Sequence, residues 1–252
     1  MDGSVNIWIL LAVWLLIGIS AAIQGSVGYG MNIIAGPFLM MIEPRLVPGP
    51  LLVASFFITV LILVRERQKP DLKGLSWVIV GRVAGTAAAA VILASISMRT
   101  LGITFGSFVI FTVILSASGL HFYPTRPMRV GAGFLSGIMG TIGSIGGPPV
   151  ALVYQDSSPQ RLRANLSGYF IFGSLISLSA LIPAGKFGLE ELRLSALLLP
   201  GLLGGYLLSA RLMPLLQGGR LRVAVWVVLG QIRCASCPRR FRTFLRTTTV
   251  RS

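Results

Sequence analysis

The sequence predicts an all-α polytopic membrane protein, and three observations carry that prediction. Charged residues make up 12% of the 252-residue chain, where a soluble domain carries roughly 25%. Mean hydropathy is +0.83. Residues 5–23, 46–64, 100–120, 130–155 and 164–185 contain no Asp, Glu, Lys or Arg. A bilayer core about 30 Å thick takes about 20 helical residues, and these runs match it. The pattern argues against soluble enzymes, nucleic-acid-binding domains and secreted disulfide scaffolds. A β-barrel is also excluded, because its strands alternate polar and apolar residues instead of running apolar for this length.

The first run, 5–23, is read as a mature membrane helix. Residues 1–6 (MDGSVN) lack the basic stretch of a signal peptide, although Ser20-Ala21-Ala22 would tolerate cleavage. The run ends in a glycine cluster, GSVGYG at 25–30, and a short apolar stretch, 31–42, follows. Segments 46–64, 75–96 and 100–120 complete a first unit. A second unit follows the same order: a helix at 130–139, the cluster GTIGSIGG at 140–147, a short stretch at 148–155, then 164–183, 194–216 and 221 onward. The last segment keeps only residues 223–232 uncharged, about 15 Å of helix and half a membrane.

A shift of 115 brings Gly25, Gly28 and Pro44 onto Gly140, Gly143 and Pro159; after a five-residue insertion, Leu72, Gly81, Gly85 and Leu101 meet Leu192, Gly201, Gly205 and Leu221. This ordered series predicts two tandem repeats of about four spans each, 1–120 and 121–232, followed by a basic, disordered tail, 233–252.

Charge sets the orientation. The net charge is +15; the basic residues lie between apolar runs, where they orient the chain and contact anionic lipid, so no nucleic-acid partner is expected. Arg65, Arg67, Lys69 and Lys73 mark loop 65–73 as cytoplasmic, and Arg126 and Arg129 mark the central linker. If each short stretch returns the chain, the two halves are inverted and Arg161, Arg163, Arg220 and Arg222 also lie inside. If each broken helix counts as one crossing, the halves are parallel. The inverted arrangement is favoured. Cys234 and Cys237 form a lone CxxC in the tail, a weak signal for metal or redox chemistry.

Glycine breaks a membrane helix without a Cβ penalty, and unwound backbone at membrane depth is tolerated where protein or water covers it. Two breaks at matching positions in two halves point to a binding site near the midplane. Pro148-Pro149 suit the first turn of a half-helix, whose free N–H groups and partial positive charge would aim into the break. The half-helix after Gly30 would do the same, and two such ends suit an anion. Gln24, Ser26, Tyr29, Asn32, Thr141 and Ser144 could add neutral hydrogen bonds, or be satisfied by nearby carbonyls. Gly81/Gly85 and Gly133/Gly137 have the spacing of close helix packing. Arg82 is the one charge well inside an apolar run: either it serves function, as intramembrane ionisable residues generally do, or it snorkels to the interface.

The acids Asp2, Glu43, Glu66, Asp71, Asp156, Glu190 and Glu191 all fall in termini or loops, and His121 starts a loop. A cation or metal carrier would hold carboxylates or His at membrane depth. Ser144 has no base within a span, which argues against an intramembrane protease. No metal, cofactor or catalytic residue is expected, and no ATP-binding motif is present.

The duplicated chain, the GxxGxG break and the later GxxGxxGGPP resemble the TauE/SafE family of sulfite exporters, over approximately residues 5–230. The resemblance implies a multi-pass transporter in the bacterial plasma membrane for sulfite, sulfonates or related sulfur anions, with eight spans built as four plus four. By position it implies a site at Gly25, Gly28, Gly30, Gly140, Gly143, Gly146, Gly147 and Pro148. The chain departs from the pattern at QIRCASCPRRFRTFLRTTTVRS, whose composition resembles an out-of-frame reading where a last span is expected. A secondary exporter working by alternating access, with a coupled proton or sodium ion, is the first reading. An anion channel or sensory membrane protein is the second. A homo-oligomer stays open under both.

Overall fold

The computed structural model describes residues 7–95, 98–117 and 123–216. The described residues up to Pro214 belong to one compact unit. The segment expected from 221 onward, the CxxC, the basic tail and His121 lie outside the described residues.

All described elements are helical: α1 Ile7–Val27, α2 Met31–Ile42, a 3-10 turn Pro44–Leu46, α3 Gly49–Arg65, α4 Leu72–Ser95, α5 Met98–Ala117, α6 Arg126–Gly143, α7 Gly147–Val153, α8 Pro159–Leu181 and α9 Leu189–Leu216. Among the described residues, four stretches are long and apolar enough to cross a membrane: Ile7–Val27, Leu72–Leu93, Pro159–Leu181 and Leu189–Met213. The expected segments recur as helices with shifted limits. The starts of α6, α8 and α9 shift by four or five residues, and at α6 and α8 a proline opens the helix early. Pro127 lies in the first turn of α6, and α8 starts at Pro159 behind Ser158, whose Oγ accepts from the Arg161 N–H at 3.4 Å. Proline fits there because the first N–H groups have no helical partner.

Contacts sort the helices into two ends. At one end the Glu66 carboxylate accepts from Arg163 Nε at 2.6 Å, and the Asp71 N–H donates to Asn165 Oδ1 at 2.7 Å. Arg129 lies 3.7 Å from Asp71, and the Arg126 guanidinium stacks over Trp77 at 5.3 Å. The last turn of α3 and the first turns of α4, α6 and α8 therefore share this end. At the other end Arg45 pairs with Glu190 at 3.0 Å, and Ser144 Oγ donates to the Pro48 carbonyl at 3.0 Å. Helices α3 and α8 consequently pack antiparallel.

Helices α4 and α6 run parallel and very close. A Cβ at Gly81 would overlap the Val130 carbonyl, and one at Gly85 the Phe134 carbonyl; Gly133 and Gly137 meet the Val78 and Arg82 carbonyls in return. This reciprocal fit bears out the packing role expected of the four glycines: each missing side chain admits the other helix's backbone. Helices α1 and α9 are also parallel, with Trp14 Nε1 donating to the Leu197 carbonyl at 2.7 Å and Ser26 Oγ reaching the Ser209 carbonyl at 3.3 Å.

The outer face is apolar, with Leu15, Val64, Val91 and Leu207 well exposed. The interior holds polar groups, among them Gln24, Asn32, Arg82, Thr141, Ser144, Arg163 and Ser177. A water-soluble fold does the reverse. Lipid, as apolar as leucine, gives no reason to bury apolar side chains, whereas hydroxyls and charges gain partners only inside.

Candidate functional site

The chain leaves the helix twice at the glycine clusters. Between α1 and α2 the φ angles of Gly28 and Gly30 are 103° and 122°, a region side chains rarely adopt. Between α6 and α7 the left-handed residue is Ser144, with φ 58°. Gly143, expected to supply that turn, is instead the last helical residue of α6, and a Cβ there would meet Phe105 at 3.2 Å. Its lack of a side chain serves packing against α5. Ser144 tolerates the left-handed region because its hydroxyl is held by Pro48 and its carbonyl by Asn32.

The two turns meet. Asn32 Nδ2 donates to the Ser144 carbonyl at 2.7 Å and to Ser55 Oγ at 3.2 Å. A Cβ on Gly147 would stand 3.2 Å from that of Tyr29. Gln24 accepts the Met31 N–H at 3.0 Å, so one N–H at the start of α2 is already taken. Its Nε2 and Asn32 Oδ1 are buried without partners. Pro148 is buried in the first turn of α7, a helix of only seven residues.

Arg82 joins the second turn. Its residue is 2% exposed, so the snorkelling alternative is overturned. Nη1 donates to the Ser136 carbonyl at 2.8 Å and to Tyr169 Oη at 2.9 Å; Nη2 donates to the Gly173 carbonyl at 3.1 Å and to Ser177 Oγ at 2.7 Å. Room for the guanidinium comes from missing side chains: a Cβ on Gly140 would overlap Nη1, and one on Gly146 would stand 2.6 Å from it. The network extends outward. Ser136 Oγ donates to the Gly146 carbonyl and lies 2.5 Å from Tyr169 Oη, while Thr141 Oγ1 lies 2.8 Å from Ser177 Oγ and donates to Thr86 at 3.1 Å. Among the described residues no carboxylate pairs with Arg82, and its Nε is buried without a partner.

A second charged group lies at the first turn. Arg163 is 2% exposed and holds Glu66 through Nε at 2.6 Å and Nη2 at 3.3 Å, while Nη1 donates to the Ser26 carbonyl at 3.3 Å. Arg65 donates to the Gly25 carbonyl and to Ser209 Oγ at 2.7 Å, and stacks over Tyr206 at 5.1 Å. Cations at a helix C-terminus answer its free carbonyls and its partial negative charge. Ser26 Oγ also donates to the Ala22 carbonyl at 2.8 Å. Sequence reasoning had put Glu66 among loop acids and Arg163 among orientation markers. Ser158 followed by Pro159 is a helix-start signal, and it would have set Arg163 one turn inside α8.

An apolar exterior, a polar interior and helices long enough to span a bilayer define a class: multi-pass helical membrane proteins. The family model for the sulfite exporter TauE/SafE matches residues 10–232, and the chain belongs to that family. No curated protein and no solved structure gives a match. Membership implies a multi-pass membrane protein and an exporter of sulfite or a related anion.

Proposed function

We propose that the protein is a secondary transporter that exports a small sulfur-containing oxyanion, such as sulfite or a sulfonate, across the bacterial plasma membrane by alternating access. The observation that carries this reading is Arg82, a fully buried cation met, among the described residues, by neutral oxygens and the Tyr169 ring and by no carboxylate. Unpaired charge inside a low-dielectric interior favours an incoming anion, and neutral hydroxyls can re-aim their protons toward it. The anion would sit where the turns meet, against Gly28, Tyr29, Gly30 and Asn32 on one side and Thr141, Ser144, Gly146 and Gly147 on the other, with Gln24 and Gly140 behind. Arg82 would supply the charge.

Two inverted repeats, 1–120 and 121–232, fit this scheme. The last turn of α1 arrives at the level of Arg65 and Arg163, whereas α6 begins at that end, beside Asp71. Helices α1 and α6 thus run in opposite senses, as inversion requires. Lys69, Lys73 and Arg67 would make this end cytoplasmic. In a background with Cys234 and Cys237 replaced by Ser, an impermeant thiol reagent on intact cells is expected to miss Ser158→Cys and to label Ala184→Cys. The opposite pattern sinks the inverted assignment. For the transport step, saturable sulfite counterflow in proteoliposomes is expected; flux without saturation or counterflow favours a channel. Thermal stabilisation by sulfite and not by divalent cations is the binding counterpart.

A further inference from the structure

We propose that Arg163 and Arg65 form a second oxyanion site, at the first glycine turn, which the Glu66 carboxylate occupies until substrate displaces it. The inference rests on the exporter reading above and adds the site from which that exporter loads. Glu66 presents both carboxylate oxygens to Arg163, at 2.6 and 3.3 Å. A sulfite or sulfonate presents two oxygens along one O–S–O edge in the same way, and a planar guanidinium fork accepts either edge. The built-in acid therefore stands where the transported anion would.

Three features make exchange physically reasonable. Two arginines face one carboxylate, which leaves one positive charge in excess, and the buried Nε of Arg65 has no partner. Glu66 is not fixed in a helix: it caps α3 in an extended conformation, and exposed Arg67, Gln68 and Lys69 follow it, so the carboxylate can leave into water. Finally, Arg163 packs directly on the turn. A Cβ on Gly28 would stand 3.1 Å from the Arg163 Cα, and the Ser26 carbonyl holds Nη1. Exchange on Arg163 is thus felt at the backbone leading to Asn32 and Ser144.

An internal competitor lowers apparent affinity by the fraction of time the site is free, so a site free about one-tenth of the time binds about tenfold more weakly. Calorimetric titration of the purified full-length protein with sodium sulfite, against sodium chloride at equal ionic strength, tests this. Glu66→Gln should lower the sulfite Kd about tenfold. Adding Arg163→Gln to Glu66→Gln should abolish that gain. An unchanged Kd in Glu66→Gln, or a gain that survives loss of Arg163, overturns the second site. If Glu66→Gln does not fold, Glu66→Asp carries the test, since the shorter side chain loses the two-oxygen grip. Its Kd should also fall, by about threefold, and an unchanged value overturns the proposal. Wild-type protein that binds no sulfite refutes the exporter reading itself; wild-type binding without these gains refutes only the second site.

Discussion

Arg82 and Arg163 are equally buried, at 2% exposure each, yet their charges are answered in opposite ways. Arg163 has a carboxylate on its fork and a helix carbonyl behind it. Arg82 has two carbonyls, three hydroxyls and an unbonded Nε. An ion held in a protein interior costs several kcal/mol, and hydrogen bonds from a charged donor return about 1.5–3 kcal/mol each. Five such bonds hold Arg82 in place without neutralising it. The difference teaches that equal burial leaves two kinds of cation: one neutralised by a carboxylate that a ligand must displace, and one held only by neutral groups.

Removing the unanswered charge should have the largest effect. Arg82→Gln should depress sulfite transport by more than about a hundredfold, the scale of losing one partner of a buried charged contact. Arg82→Lys keeps charge but loses the fork, and a loss of about tenfold is expected in sulfite Kd. Equal binding by Arg and Lys proteins at equal expression removes Arg82 from the site.

The glycine positions sharpen the contrast between turns and packing. Gly133→Leu, which drives a side chain into the Val78 carbonyl, should collapse the yield of folded protein in detergent. Gly28→Leu combines a left-handed φ, a penalty of roughly 1–2 kcal/mol, with intrusion on Arg163, and should abolish transport while the protein still inserts. Gly143→Leu places its Cβ against the Phe105 and Phe108 rings, so its transport should fall in proportion to its yield, not beyond. Transport lost at full yield in Gly143→Leu would return that glycine to the site.

The smallest effect belongs to the other end of the molecule. Arg45 and Glu190 pair at 3.0 Å with side chains 55% and 64% exposed. Arg45→Gln should shift unfolding by no more than about 1 kcal/mol, because exposed pairs are screened and mobile. A larger loss would mean that this end, not the Glu66 end, ties the helices together.

Much of the fold was legible because membrane insertion writes itself into composition: the uncharged runs became α1, α3, α5, α6 with α7, and α8 within a few residues. The packing of Gly81 and Gly85 was legible from spacing alone. The site was harder. Arg82 stood out by its isolation in an apolar run, but which way it pointed depended on Tyr169, Gly173 and Ser177, residues far along the chain. Glu66 is a loop residue as expected, but its pairing with a buried Arg163 was missed because a charge at the edge of a run is scored as a loop. Only the early start of α8 at Pro159 carries Arg163 inward. Gly143 was misassigned because a glycine's identity says that it can turn, and Ser144 shows that a neighbour with two hydrogen bonds can turn instead.

The four residues whose neutral oxygens accept from Arg82 lie 54, 87, 91 and 95 residues downstream of it. During synthesis α4 therefore leaves the ribosome with a naked guanidinium, before any of those groups exists. An arginine near the centre of a lone helix costs about 2.5–3.5 kcal/mol at the translocon, several times what one leucine returns. Helix α4 should thus wait at the translocon or the interface until α6 and α8 emerge, and enter the lipid in their company. Its zipper of glycines against α6 is already shaped for that late partner. Biogenesis of this protein is then ordered by one side chain, and truncation after α5 should leave α4 poorly inserted, whereas truncation after α8 should not.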